Sequence, residues 1–500
     1  MKPVSVSLFP SKDEFLRGTA EGKVLPVWKA ISLPGFDPAS AFAALRKGPY
    51  SILLESGRVS PKTGRYSFIA TDPYMVLKSK GESVDIIKGG RRATLARKPL
   101  PKLRELMSNY KVERVPGLPP FTGGCVGFIS YDFVHHFEKL PRKAKDDLDI
   151  QDAYFIFVDS LAAYDHAEEK LYLIANPGAA DRGLGYVLPD EDWAGAYDRA
   201  AEKIAELEAG ILSAPPLPSH GGKGAGIKAE PLIPKEGYEE MVRRAKEYIA
   251  AGDIFQANLS QRLSADVSGI DPWDIYTVLR SVNPSPFASF IDFPDIKIAS
   301  SSPERLVRVQ DRVVDTRPIA GTRPRGRDKG GDEEMRSELL LNEKERAEHI
   351  MLIDLERNDI GRVCDYGSVR VDELMVTEDY SHVIHIVSNV TGDLAEGRDA
   401  FDVIRAAFPG GTITGVPKVR CMEIIDELEP VARGPYTGSI GYIAYTGDMD
   451  LNIIIRTFVI KDNKAYVQVG AGIVADSDPE REYYETLHKA EALVRTLEKL

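Results

Sequence analysis

A Pro- and Gly-rich break just short of mid-chain constrains this sequence most. Ser213-Ala214-Pro215-Pro216-Leu217-Pro218-Ser219-His220-Gly221-Gly222-Lys223-Gly224-Ala225-Gly226 cannot bury a core and reads as a linker. It divides the 500 residues into an N-terminal domain over 1–208, a linker over 209–233 and a C-terminal domain over 234–500. That length supports two or three domains and a large core. Before the break, Glu191 to Ala209 reads as a solvated helix. After it, Pro234 to Gly252 reads as a helix with Tyr238, Met241, Ala245 and Ile249 on one stripe.

The first part is rich in short strands bounded by turn residues, such as Ser67 to Ala70, Tyr154 to Val158 and Lys170 to Ile174. The second mixes strands with two strongly helical stretches, Ser337 to Arg357 and Pro479 to Leu500. There is no short internal repeat. Strands and helices do not alternate, so the class is mixed α+β rather than a doubly wound sheet. Sixty-four basic residues against 76 acidic ones give a net charge of −12, which argues against a nucleic-acid binder and fits a small-molecule substrate or protein partner. The three cysteines, Cys125, Cys364 and Cys421, are too few for a disulfide scaffold and lack zinc-ligand spacing. The N-terminus has no apolar stretch of signal-peptide type, and no window reaches ~18 uninterrupted apolar residues. A cytoplasmic, membrane-free protein is expected.

Four places carry candidate chemistry. Glu345 and Glu348 share one helix face, and Glu482, Glu485 and Lys489 share another. Two such faces either converge on a hard cation such as Mg²⁺ or are simply solvated. The run Asp450 to Ile460 reads as a strand buried on both faces with Arg456 in its middle. A buried arginine needs an anion, either a structural carboxylate or a substrate carboxylate gripped by its planar fork. Val467 to Val474 ends in small residues, Gly470-Ala471-Gly472, that permit close approach of a ligand or form a tight turn. Pro409 to Lys418 is a similar turn, leading into a helix over Lys418 to Leu428. Gly123-Gly124-Cys125-Val126-Gly127 formally matches a glutaminase nucleophile elbow. An elbow passes from strand to helix, whereas Phe128 to Val134 reads as further strand, so the chain has no ammonia generator of its own.

In order along the chain, Gly252 to Gln256, Ser301 to Arg305, Arg317 to Arg325, Asp354 to Asp359, Ser381 to Ser388, Gly410 to Lys418 and Asp450 to Thr457 resemble the chorismate-utilising enzymes. These include anthranilate synthase component I, aminodeoxychorismate synthase component I, isochorismate synthase and salicylate synthase. The resemblance covers nearly the whole chain and is densest from Glu236 onward. It implies two intertwined subdomains around a large antiparallel β-sandwich with helices outside, the anthranilate-synthase-like fold. It implies Mg²⁺ on Glu348 and Glu485, with Glu345 and Glu482 beside them, facing the ring carboxylate of chorismate. Tyr436, Arg456 and the backbone of Gly470, Ala471 and Gly472 would hold the enolpyruvyl carboxylate, with Lys489 close by. Gly321 and Thr322 would contact the ring carboxylate region. Glu304 would protonate the departing C4 hydroxyl, and His385 and Thr412 would assist pyruvate elimination.

Within the family, members that add water resemble one another in a lysine where this chain has Gln256. Aminodeoxychorismate synthases commonly carry a nucleophilic lysine where this chain has Ala320. Both differences imply direct amination of C2 by ammonia and release of anthranilate and pyruvate, the ammonia coming from a glutamine amidotransferase subunit in an αβ or α2β2 heteromer. The wording of Phe408 to Gly415, and of Phe287-Ala288, is closer to the aminodeoxychorismate branch. Glu55 and Ser56, with Pro284, Ser285, Pro286 and Phe287, resemble a tryptophan site, either inhibitory or a fixed part of the N-terminal core. A non-catalytic tryptophan-binding homologue is the alternative from another class.

Overall fold

The computed structural model describes residues 7–57, 63–182, 192–217, 226–326, 328–379 and 383–500. The alternating strands pair into two antiparallel sheets, each of twelve strands among the described residues. They form the sandwich expected, and the two sides of the linker share both sheets. In the first sheet five strands from before the linker end at Ser51–Glu55, which pairs with Phe287–Asp292 from after it. In the second, five early strands end at Gly124–Ile129, which pairs with Ser439–Ala444. The facing sides bury Ile52, Phe68, Val126, Phe128, Ile291 and Ile440 as one cluster. Two further clusters lie on the outer faces. Phe42, Ile204, Trp273 and Leu493 join helices to the first sheet, and Leu103, Phe155, Ile353 and Phe401 join helices to the second. This is the layering that buries one face of every element.

Several local expectations change. The helix before the linker, Trp193–Leu212, is not solvated all round: Ala196, Tyr197, Ala200, Ile204, Leu207 and Ile211 form a buried stripe. The small alanines had diluted the apolar period. That helix runs into the expected linker, and Leu217, Ile227 and Ala229 pack against the outer cluster. Glu230–Pro231 then pairs with Gln256–Asp266 at the sheet edge. Residues 218–225 of the linker lie outside the described residues. The long helix over Ser337 to Arg357 is two helices, Lys329–Leu341 and Glu343–Gly361. Asn342 separates them because its side chain accepts from Glu345 N at 3.0 Å and caps the second. After Gly124–Ile129 the chain enters a 3₁₀ turn, Tyr131–His136, rather than further strand. Cys125 is fully buried mid-sheet, and burial pushes its thiol pKa up, so it is no nucleophile. Among the described residues, no helix is long and apolar enough to cross a membrane.

Candidate active site

The expected strand Asp450 to Ile460 is broken, and the break builds the site. Met449–Asn452 belongs to the second sheet and Thr457–Lys461 to the first. Beside it, Lys297–Ser302 of the first sheet leads through Pro303 and Glu304 into Arg305–Gln310 of the second. Two neighbouring segments therefore cross between the sheets at one place. They are bonded to each other. Ile453 N donates to Glu304 O at 3.0 Å, Ser302 Oγ donates to Ile453 O at 2.5 Å, and Ser301 N donates to Arg456 O at 3.1 Å. Arg456 turns the corner at φ 51°, a left-handed conformation rare for a side chain of its size. The β-branched run Ile453-Ile454-Ile455 concealed this crossing by reading as continuous strand.

Glu304 sits in the crossing, 6% exposed. Burial pushes its pKa up to about 7, against the pull of the Thr412 hydroxyl, the Ile319 N–H and the charges of Arg456 and Lys489. Those influences come from one place, where Glu304, Thr412, Arg456 and Lys489 lie together. Glu304 Oε1 and Thr412 Oγ1 are buried with no hydrogen-bond partner among the described residues. The hydroxyl thus lies near the carboxyl without bonding to it in aligned geometry. A carboxyl still protonated near neutrality is suited to giving a proton away.

His385 lies on Val383–Asp393, with its Nδ1 3.1 Å from Gly321 O on the paired strand Ile319–Pro324. A carbonyl only accepts, so Nδ1 carries the proton and Nε2 is the basic nitrogen. Burial, reinforced by Arg456, pushes the pKa of His385 down to about 4 and keeps it neutral. Gly321 has φ 65°, and a Cβ there would meet Glu345 Oε2 at 2.7 Å, so the helix carboxylate lies directly over this glycine. The side chain of Thr322, also expected here, lies outside the described residues.

The small-residue strand end is a cradle. A Cβ at Gly470 would stand 2.8 Å from the Tyr436 hydroxyl and 2.7 Å from Asn258 Oδ1. A Cβ at Gly472 would stand 2.4 Å from Gln256 Nε2. Ala471 is buried between them, and Lys489 donates to Gly470 O at 3.1 Å. Gln256 and Asn258 share one face of their strand, the period-2 signal that could have added Asn258 to the site. Arg433 was also missed. It is buried, paired with Glu429 at 2.7 Å, and donates to Asn258 O at 2.6 Å and Ile413 O at 2.9 Å. It ties the cradle strand to the Thr412 turn.

The two carboxylate-bearing helices flank this cradle. Gln256 Nε2 donates to Glu348 Oε1 at 3.1 Å, Arg323 Nη1 to Glu345 Oε1 at 3.1 Å, and Lys489 pairs with Glu485 at 2.9 Å. Glu482 stands one turn before Glu485 on the Pro479–Lys499 helix. Among the described residues no three acidic, His or Cys side chains gather as a ready-made cage. An all-carboxylate donor set is nevertheless the kind that suits a hard cation.

Away from the crossing, a cavity of about 260 Å³ opens near the first expected motif, lined by Glu55, Ser56, Pro286, Phe287 and Ala288 together with Arg65, Arg305 and Asp450. It exceeds the roughly 150 Å³ that accommodates benzene. Pro284 and Ser285 do not line it; Ser285 is buried behind, 3.0 Å from Ser301 Oγ. The Glu55 carboxylate is engaged by Arg280 at 2.6 Å and by the Tyr276 hydroxyl at 2.5 Å.

A sequence model of the chorismate binding enzyme family matches residues 52–495. The chain belongs to the chorismate binding enzymes. It is 41% identical over 500 residues to anthranilate synthase component 1 of Acetivibrio thermocellus, covering 98% of each chain. It is 45% identical over 480 residues to aminodeoxychorismate synthase component 1 of Bacillus subtilis (strain 168), covering 95% of this chain and 97% of that one. The crystal structure of anthranilate synthase component I from Streptococcus pneumoniae TIGR4 superimposes with a TM-score of 0.74 at 36% identity, covering 88% of this chain and 93% of that chain. For a chorismate-utilising enzyme the assembled groups are apt: cations for a dicarboxylate, a buried acid for a poor leaving group, and a neutral imidazole for a ring proton.

Proposed function

We propose that this protein is the synthase subunit of an anthranilate synthase of tryptophan biosynthesis. It converts chorismate and ammonia to anthranilate and pyruvate through 2-amino-2-deoxyisochorismate. Gln256 carries the reading. Its amide cannot deprotonate water, its Nε2 is committed to Glu348, and its Oε1 is buried with no partner among the described residues. Such an acceptor suits an N–H of ammonia. The ammonia lone pair attacks C2, the two ring double bonds shift, and the C4–O bond breaks as Glu304 gives its proton, releasing water; the new C2 ammonium then returns its extra proton to the Glu304 carboxylate. His385 Nε2 then takes the C2 proton and the C3–O bond breaks. The ring becomes aromatic and pyruvate leaves as its enolate, which takes up, on its methylene carbon, the proton held by His385. Arg456, Tyr436 and the Gly470–Gly472 backbone orient the enolpyruvyl carboxylate throughout. Glu345, Glu348, Glu482 and Glu485 would hold Mg²⁺, which supplies positive charge to the ring carboxylate. Ala320 supports direct amination. It stands between Ile319, whose N–H eases Glu304, and Gly321, which fixes His385, and it brings no amine.

The test is turnover of the purified chain with chorismate, Mg²⁺ and ammonium at alkaline pH. Anthranilate with stoichiometric pyruvate is expected. Aminodeoxychorismate without pyruvate would establish the second reading, aminodeoxychorismate synthase component 1, the name carried by the 45% identical Bacillus subtilis protein. Glu348→Gln and Glu485→Gln should each abolish Mg²⁺-dependent turnover without unfolding the chain, and wild-type rates in either would refute the cation site. A separate glutamine amidotransferase subunit, in an αβ or α2β2 heteromer, supplies ammonia in this reading. Its addition should make glutamine a substrate. The cavity at Glu55 and Phe287 takes L-tryptophan. Inhibition by tryptophan marks a feedback site, whereas binding without inhibition marks a structural one. The buried free thiols fit a cytoplasmic setting.

A further inference from the structure

Behind Glu304 lies a second buried carboxyl, Glu356, 4% exposed on the Glu343–Gly361 helix. Its Oε2 is 3.0 Å from Thr316 Oγ1, and that oxygen is also 2.9 Å from Leu306 O. Threonine has a single hydroxyl proton, and the Leu306 carbonyl can only accept. Were Glu356 ionised, two acceptors would share one proton, leaving a buried oxygen unsatisfied. With the carboxyl protonated, Thr316 donates to Leu306 and accepts from Glu356 Oε2, so both contacts of the hydroxyl are satisfied. Leu306 follows Glu304 by two residues. The other oxygen, Glu356 Oε1, lies 3.6 Å from where a Cβ on Gly411 would stand, against the turn carrying Thr412. One side chain therefore braces both the crossing and the turn.

We propose that Glu356 is a positioning residue, a carboxylic acid that is neutral at pH 7 and fixes the Glu304 crossing against the Thr412 turn through its proton on Thr316. The inference rests on Glu304 being the acid of the proposed reaction. The charged groups facing Glu356 are Asp359 one turn along its own helix, Lys418 paired with that aspartate, and Glu304. Burial first, then Asp359, pushes its pKa up to about 8, against the pull of Lys418 and Thr316. The raised folded value means its stabilising contribution is complete below about 4.5 and is lost as pH rises through about 8.

The experiment compares wild type, Glu356→Gln, Glu356→Leu, Thr316→Val and Glu304→Gln in kcat, KM for chorismate, and Tm from pH 5 to pH 9. The glutamine amide N–H donates to Thr316 at every pH. Glu356→Gln should therefore keep kcat within twofold at pH 7, and its Tm relative to wild type should rise as pH increases. Glu356→Leu should lose tenfold or more in kcat with KM within twofold, and Thr316→Val should do the same if the leucine variant does not fold. A tenfold loss in Glu356→Gln, or no pH-dependent gain in its Tm, overturns the neutral carboxyl. Wild-type kcat in Glu356→Leu or Thr316→Val overturns the positioning role. Full activity in Glu304→Gln refutes the acid instead, and leaves the Tm signature of Glu356 as a separate result.

Discussion

The crossing at Glu304 and the cavity at Glu55 both bury carboxyl groups, and they satisfy them differently. At the cavity every charge is matched: Glu55 by Arg280 and Tyr276, Arg305 by Asp450, and Asp165 by Arg65. At the crossing Glu304 Oε1, Thr412 Oγ1 and Gln256 Oε1 are buried with no partner among the described residues. Unsatisfied buried polar atoms cost stability, so a fold keeps them where a substrate completes them. The cavity closes its charges on one another; the crossing leaves polar atoms open to a ligand.

The largest effect separating the two regions is expected from Glu304→Gln. Loss of the proposed proton donor should lower kcat by about 10²–10⁴-fold. The same change should stabilise the chain at pH 8. Folded Glu304 stays protonated to about 7 whereas the unfolded carboxyl ionises near 4.5, so wild-type stability falls as pH rises between those values. Removing that loss is worth on the order of 1–3 kcal/mol, read as a higher Tm at pH 8 but not at pH 4. A Tm gain equal at both pH values would break the contrast. Glu55→Ala should reverse the pattern. It leaves Tyr276 and Arg280 partly uncompensated, although Arg280 keeps Asp37 at 2.9 Å and is partly exposed. A loss of about 2–3 kcal/mol in urea unfolding is expected, below the fully buried case, with kcat within twofold. Loss of turnover in the folded enzyme would couple the regions instead. Gly472→Ala should be mildest. Its methyl meets the movable end of Gln256, so roughly a tenfold fall in kcat is expected, about 1.4 kcal/mol. Unchanged kcat would show that Gln256 does not need its present position.

Local pattern made much of this legible. The spacing of Glu345 with Glu348, and of Glu482 with Glu485, placed each pair on one helix, and the ordered motifs gathered Glu304, His385, Thr412 and Arg456. What was hidden depends on contacts distant in sequence. Nothing local distinguishes Ile453 to Arg456 from a buried strand, because the sheet change is set by partners at Ser301 and Glu304. Asn342 stops one helix and caps the next inside a stretch of strong helix formers. The pairing of Ser51–Glu55 with Phe287–Asp292 joins residues more than two hundred positions apart, which no short period encodes.

The interleaving of the sheets has a consequence for how the chain is made. Every residue proposed to touch substrate comes after the linker, yet both sheets that position them depend at mid-width on strands synthesised before it. An emerging first half offers two uncapped sheet edges: Ser51–Glu55 waits for Phe287–Asp292, and Gly124–Ile129 waits for Ser439–Ala444. Folding should therefore be slow and all-or-none, as long-range pairing dictates. Two separately translated fragments cut at the linker should each be insoluble alone and become one active enzyme when co-expressed.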